Sequence, residues 1–481
     1  MRAQLFLKIQ TFTCQSIAHV LYFPRYLEKR SNRSMTPKTQ DMTTGRPISL
    51  LVRFSMPLMV GNVFQQLYTV VDTMVVGKAL GVGALAALGA ADWLNWMMLG
   101  MIQGFTQGFA ILMAQAFGAK DFTALRKTVW NSALLCVISA VLLVLLGQWL
   151  LAPVLRLMQT PAEIIGDSEL YLRIMFAGIP VVMAYNLFAC ILRSMGDGRT
   201  PLYAMIIACV INIGLDLLFV LIFHWGIGGA AAATLIAQGC SAVFCFLQIC
   251  RINTMQLNRE NKRFESGLAL RLIRLGATMA VQFLFIAVGG LIVQYVVNGY
   301  GVIFVAGFTA TNKLYGILEI AATSFGFAVV TYVGQNLGAG RIDRIRLGQR
   351  AAYGLSIVTS ILIAAVMIMF GKWILSGFLS GTPEEVSAAM ETAYSYLRVM
   401  SLSLPALYIL YVVRSALQGL GNTTVPLASG IVEFVMRVAA AFVLPAMIGQ
   451  NGIFGAEILA WIGADLVLIP GYLLAIRKYK K

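Results

Sequence analysis

Charge is scarce in this chain, and histidine is nearly missing. Of 481 residues only 12% are charged while 59% are hydrophobic, and the mean hydropathy is +0.81. A soluble domain carries about twice that share of charge, so most of this chain must face lipid. The two histidines, His19 and His224, leave no set from which a zinc site or a Ser/His/Asp arrangement can be assembled. A membrane-embedded enzyme is therefore a poor reading. Seven cysteines (Cys14, Cys136, Cys190, Cys209, Cys240, Cys245, Cys250) sit mostly inside apolar runs without metal-site or framework spacing, so they read as small core residues and no disulfide is expected. The glycine run followed by Lys and Ser or Thr that cradles nucleotide phosphates is missing too. Any transport must then draw on an ion gradient, with no cofactor.

What the chain has is length and apolarity. Twelve apolar runs, each long enough to cross a hydrocarbon layer of roughly 30 Å as a helix, fall at about 50–76, 82–113, 126–152, 168–192, 201–224, 228–250, 272–298, 301–334, 350–378, 392–415, 426–447 and 453–476. They are continuous and rich in Leu, Ile, Ala and Met rather than alternating, which excludes a β-barrel. The expected fold is an all-α polytopic membrane protein.

The formal charge of +16 invites a nucleic-acid reading, but the basic residues form no single patch. They follow alternate loops: Arg126 and Lys127, Arg193 and Arg199, the stretch from Arg251 to Arg274, Arg341 to Arg350, and Arg477 to Lys481. The intervening "TPAEIIGDSE" and "TPEEVSAAM" are acidic or neutral. This is the positive-inside pattern, and it puts both termini in the cytoplasm. Residues 1–45 stand apart. "LFLKIQTFTCQSIAHVLYF" is interrupted by Lys8, Gln10 and His19 and has no small-residue cleavage site after it, so it reads either as an amphipathic cytoplasmic arm or as sequence upstream of a true start at Met35 or Met42.

The chain is written twice. "GQWLLAPVLRLMQTPAE" from Gly147 returns as "GKWILSGFLSGTPEE" from Gly371, "YLRIMFAGIP" from Tyr171 as "YLRVMSLSLP" from Tyr396, "LRSMGDGRTPL" from Leu192 as "LQGLGNTTVPL" from Leu417, and "AQAFGAK" from Ala114 as "GQNLGAG" from Gly334. All are offset by roughly 220 to 225 residues, the mark of an internal structural repeat. Six runs per repeat is an even number, so both halves enter the membrane from the same side. Two pseudo-symmetric six-helix bundles follow, 46–250 and 272–476, with a charged cytoplasmic linker at 251–271 and a basic tail at 477–481. Bundles joined by such a linker suit alternating access by rigid-body rocking. In the "LRSMGDGRTPL" and "LQGLGNTTVPL" turns, Gly196, Gly198, Gly419 and Gly421 are expected to allow unusual backbone angles, and Pro201 and Pro426 to open the next helix.

The repeat breaks in its charges. Asn212 and Asp216 stand four apart on one face of the fifth run, and their counterparts are Arg437 and Ala441. Asp72, in "LYTVVDTMVVG", lies at a depth similar to that of Asp216. An ionised carboxylate at the bilayer centre costs about 3 kcal/mol, so two at one level should face protein. Asp72, Asn212 and Asp216, with Thr234 on the sixth run, are the expected cation or proton site, since carboxylate, amide and hydroxyl oxygens suit a small hard cation and a buried carboxylate can take up a proton. The second half carries Lys313, Glu319, Glu433 and Arg437. Glu433 and Arg437 read as a mutually neutralising i, i+4 pair. Glu319 is the second-half candidate for contact with a cationic substrate, and Met101, with Met97, Met98, Trp93 and Trp96, offers an adaptable surface to flat ligands, although such a stripe more often packs or faces lipid.

With the repeat and the buried acids in place, the chain resembles the multidrug and toxic compound extrusion (MATE) family over about Pro47 to Ile476, most specifically in "FSMPLMVGNVFQQLYTVVDTMVVG", "AQAFGAKD", "ILRSMGDGRTP" and "NIGLD". The resemblance implies a secondary antiporter of a prokaryotic plasma membrane that expels amphiphilic organic cations in exchange for Na+ or H+. Its first-bundle cation site carries over to Asp72, Asn212, Asp216 and Thr234. A further asparagine of the fourth helix does not: Ala189 holds that position, with Asn186 about one turn away. The acidic second-bundle site of one branch is replaced by Ile286 and Leu407, which leaves coupling to the first half. A flippase for lipid-linked sugars is the alternative within this architecture, though it would need basic residues along the cavity where these charges are mixed in sign. A channel would need a continuous polar ring. Two bundles in one chain complete a cavity, so a monomer suffices, in contact with membrane lipids and with no nucleic acid.

Overall fold

The computed structural model describes residues 39–479 apart from 159, 257–260, 380 and 381, so the reading of the first 38 residues, Met35 included, lies outside the described residues. Within them the chain forms thirteen α-helices and no strand. They are α1 (Pro47–Leu80), α2 (Val82–Gly118), α3 (Phe122–Leu157), α4 (Ala162–Ala177), α5 (Ile179–Ser194), α6 (Arg199–Asp216) and α7 (Gly226–Cys250) in the first half. In the second half come α8 (Ser266–Asn298), α9 (Val302–Gly338), α10 (Ile342–Ser376), α11 (Pro383–Gly419), α12 (Thr424–Ile448) and α13 (Gly455–Arg477). With α4 and α5 counted as one span bent by 48°, twelve spans are long and apolar enough to cross a membrane. Several helices outrun their apolar runs because charged residues of good helix propensity continue them beyond the lipid-facing stretch: α10 begins at Ile342, inside the arginine stretch.

The two halves share one plan. α6 packs on α1 and α7, just as α12 packs on α8 and α13. The halves meet where α2 lies along α8 and α9 along α1. The α2–α8 seam is made of small residues: a methyl group on Gly104 or Gly108 would come within 2.5 Å of the backbone of Ala280 or Gly276. Such close approach is how helices gain contact in lipid, where burial itself offers no driving force. Each half has its own apolar core, with an exchange at the basic end. Leu51, Phe54 and Leu58 of α1 belong to the second-half core, while Ala269 and Leu272 of α8 belong to the first.

α3 and α10 form matching outer walls. Val137, Val141 and Leu145 on α3, and Val358, Ile361 and Leu362 on α10, are exposed apolar residues suited only to hydrocarbon. Trp149 and Trp373, repeat partners at the acidic end, are 73% and 79% exposed, the place where tryptophan anchors a span at the interface.

Two irregularities occur in the first half only. The fourth span breaks at Gly178, before Pro180, which cannot donate to the helical ladder. Its repeat partner, α11, runs unbroken through Pro405, with Ser403 where Gly178 stands. Gly178 is fixed by packing as well, since a methyl there would sit 2.1 Å from Leu235. α6 then passes at Asp216 into a π-helical segment, Leu217–Ile222, whereas α12 stays α-helical to Ile448. Short π segments inside helices are frequent at functional sites.

The glycine turns answer the expectation in part. Gly196 and Gly421 take φ of +80° and +79°. Gly198 has an ordinary φ of −92°, and Gly419 is helical. Close approach fixes these two instead, with Phe54 and Val330 backbone oxygens 2.9 Å from where a methyl would stand. Asp197 and its partner Asn422 hold the helices that follow: Asp197 Oδ1 accepts from the Thr200 amide at 3.0 Å, Asn422 Oδ1 from the Val425 amide at 3.3 Å. The described part of the linker is tied down. Lys127 pairs with Glu265 at 2.7 Å, and Asn131 bridges Arg263 and Glu265. Its last residues, from Ser266, are already α8.

Candidate functional site

The structure brings together the four residues singled out in the first half. Asn212 and Asp216 share a face of α6, Thr234 comes from α7 and Asp72 from α1. They are 1%, 0%, 8% and 8% exposed respectively. Asn212 Nδ2 donates to Thr234 Oγ1 at 3.3 Å. The remaining oxygens are the unusual feature. Asp72 Oδ1, Asn212 Oδ1 and both carboxylate oxygens of Asp216 are buried with no protein donor. Buried polar atoms are nearly always paired, and an unpaired buried carboxylate is among the costliest arrangements a protein can hold. Four donorless oxygens on two helices, α1 and the end of α6 where the π segment begins, make a set of hard acceptors that a proton or a small cation would satisfy.

A second layer surrounds them. Asp72 and Asp216 lie within electrostatic range of each other, and Asp92 on α2 is within range of Asp72. Asp92 is exposed, as is Lys313 on α9, which faces it closely enough to act on its charge. Tyr171 on α4 is buried within electrostatic range of Asp72, Asp92, Asp216 and Tyr68. Sequence reasoning missed Asp92 and Tyr171. Asp92 stands in the sequence as a lone charge in the run 82–113, but matching depth singles out only Asp72 and Asp216.

The other candidates lie elsewhere. Asn186 donates to the Val182 carbonyl of its own helix at 2.9 Å, a bond within α5. Met101 is half-buried against the first-half core beside Met98. Trp93 packs on Gly290 of α8 and meets Trp96 edge to face at 6.1 Å, so the Met/Trp stripe is largely packing. Glu319 is half-buried on α9 and accepts from the Tyr411 hydroxyl.

Glu433 and Arg437 do pair, at 3.0 Å, inside a longer chain. Arg414 reaches Glu433 at 2.6 Å, Arg437 reaches Glu457 at 2.8 Å, and Arg437 Nη1 donates to the Ile286 carbonyl at 3.1 Å. This network ties α8, α11, α12 and α13 together. Arg414 and Glu457 were not foreseen, because no spacing rule links residues on separate helices. The contrast between the two clusters is chemical: the Glu433 network neutralises its buried charge internally, and the cluster of Asp72 and Asp216 leaves its acids without protein donors.

Comparison with known proteins agrees with this plan. The MatE family model matches residues 57–218 and 278–443, one block in each half. The "Probable multidrug resistance protein YpnP" of Bacillus subtilis is 30% identical over 419 residues, covering 86% of this chain and 92% of that protein. "Probable multidrug resistance protein NorM" of Thermotoga maritima is 24% identical, covering 87% of this chain and 89% of its own length. Among solved structures, a multidrug resistance MATE family transporter in an outward-facing conformation superposes with a TM-score of 0.86 at 21% identity, covering 93% of this chain and 100% of its own. A MOP superfamily transporter from Pyrococcus furiosus superposes at 0.85 with 22% identity, over 93% and 100% of the two chains. With two matched blocks, twelve spans and relatives aligned nearly end to end, the chain belongs to the MatE family of multi-pass membrane transporters and is not an enzyme.

Proposed function

We propose that the protein is an antiporter that exports amphiphilic organic cations in exchange for Na+ or H+, with coupling at Asp72, Asn212, Asp216 and Thr234. One observation carries this reading: four buried oxygens of that cluster have no protein donor. An arrangement so costly in an apolar fold is sustained by what it binds. The relatives' names, multidrug resistance proteins, support the substrate class. Asp92, exposed beside the cluster, supplies negative charge where an organic cation would approach, and Lys313 opposite it would compete for that charge. Glu319 with Tyr411 offers a second acidic contact on α9. The charge pattern of the loops supports a plasma-membrane orientation with both termini cytoplasmic. The bundles at 46–250 and 272–476 are the natural rocking units, functional as a monomer.

The test is efflux of ethidium from proteoliposomes under imposed Na+ and H+ gradients, applied separately. One gradient should drive extrusion, and Asp72→Asn and Asp216→Asn should each abolish the response. Full gradient-driven extrusion by both variants would remove the site, and no extrusion by wild-type protein would turn attention to lipid-linked substrates.

A further inference from the structure

The repeated "AQAFGAK" and "GQNLGAG" segments close one end of the molecule in a way that packing alone does not require. We propose that Gln115 and Gln335 form a reciprocal clasp that seals the basic end of the transport path, and that the strap of residues 39–45 locks one side of it. The inference rests on the transport reading.

The two glutamines are repeat partners, and each reaches into the other half. Gln115 Nε2 donates to the Gly419 carbonyl at 3.1 Å, and Gln335 Nε2 donates to the Ser194 carbonyl at 2.9 Å. Gly419 and Ser194 are themselves repeat partners, each in the last turn before its glycine turn. The same pseudo-twofold relation therefore generates both bonds. Gly118 and Gly338 let the ends of α2 and α9 close on each other. A methyl on either would sit 1.9 Å from the backbone oxygen of Gln335 or Gln115, so the two helix ends meet backbone to backbone.

The strap breaks this symmetry. Met42 is fully buried, and its amide donates to Gln335 Oε1 at 2.8 Å, so Gln335 holds the strap and the first half at once. Asn336 Nδ2 donates to the Met42 carbonyl at 3.1 Å, Arg341 to Thr43 O at 3.0 Å, and Arg344 to Gly45 O at 2.8 Å. The strap also touches the first half, where the Gln40 amide donates to Met195 O at 3.1 Å. The repeat partners of Asn336, Arg341 and Arg344 are Ala116, Asp121 and Ala124, which cannot make these bonds. The strap thus holds Gln335, while Gln115 keeps only its bond to Gly419. For the path to open at the basic end, both cross-half bonds must break, and the strap must leave Gln335 or travel with it.

The molecule carries its own reporter. Between the halves, next to the clasp, lies a cavity of about 30 Å³ lined by Ala114, Cys190, Arg193, Ser194 and Thr331 among others. Cys190 is buried. A full-length protein retaining only Cys190, reconstituted and treated with an impermeant maleimide on the basic face, reads how often that end opens. Gln115→Ala should raise the labelling rate about threefold, the change that losing one hydrogen bond allows. Gln335→Ala, which also frees Met42, should raise it about tenfold or more, and Arg344→Ala should raise it without touching either cross-half bond. A parallel protein retaining only Cys209, buried on α6 against Tyr68 of α1, should stay unlabelled. Unchanged Cys190 labelling in both glutamine variants, or Cys209 labelling that rises in step, would overturn the clasp. Equal rates for the two glutamine variants would overturn the strap's part. No substrate or gradient enters this measurement, so it stands or falls separately from the coupling site.

Discussion

Asp216 and Glu433 show how one residue type can play opposite parts in one fold. Both are buried carboxylates on repeat-related helices, yet Glu433 has Arg414 and Arg437 within 3.0 Å, and neither oxygen of Asp216 has a donor. Asp216→Asn should therefore abolish ion-coupled transport while leaving thermal stability equal or higher, because it removes an uncompensated charge. A large fall in melting temperature would show that Asp216 is structural. Glu433→Gln should do the reverse. It strands Arg414 in the interior, for a loss of about 3 kcal/mol in unfolding measurements, with the ion dependence of transport retained. The sequence made Asp72, Asn212, Asp216 and Thr234 legible because charge inside an apolar run is conspicuous and the i, i+4 spacing fixes a face. Arg414, Glu457 and Tyr411 were not legible as partners, since their meeting depends on how separate helices are rotated.

At the level of the element, the repeat allows each half to serve as a control for the other. The twelve spans and their pairing could be read from apolar length and from the recurring motifs. The break of the fourth span could not, because Gly178-Ile-Pro and Ser403-Leu-Pro look alike until Leu235 is seen pressed on Gly178. Glycines that resemble one another in sequence also differ in kind. Gly340 has φ +69° with open space around it, while its partner Lys120 adopts φ +58° as a lysine. Gly340→Ala should accordingly cost only about 1 kcal/mol, the price of a left-handed residue. Gly338→Ala, two residues earlier, would drive a methyl into the Gln115 backbone oxygen. Its loss of stability should exceed that of Gly340→Ala, and thermal unfolding of the two variants decides. Equal losses would mean that the helix ends meet less closely than the structure has them.

For the whole molecule, the question is which end opens where. The loops at the basic end converge on the clasp, the strap and the tethered linker, while Asp92 and Lys313 lie exposed toward the opposite end. That asymmetry, combined with the positive-inside rule, predicts a resting protein closed to the cytoplasm. Single cysteines at Asp343, in the basic end, and at Glu384, in the first turn of α11 at the acidic end, make this measurable in intact cells. An impermeant thiol reagent should modify the residue placed at 384 from outside and reach the one at 343 only after lysis. A cysteine at Asp92 should react from outside in the resting state and become protected when transport substrate shifts the cycle, as a cleft that closes over Asp92 and Lys313 requires. Protection at 384 and reaction at 343 in intact cells would invert the molecule in its membrane, and with it the direction of export that the acidic cluster is proposed to drive.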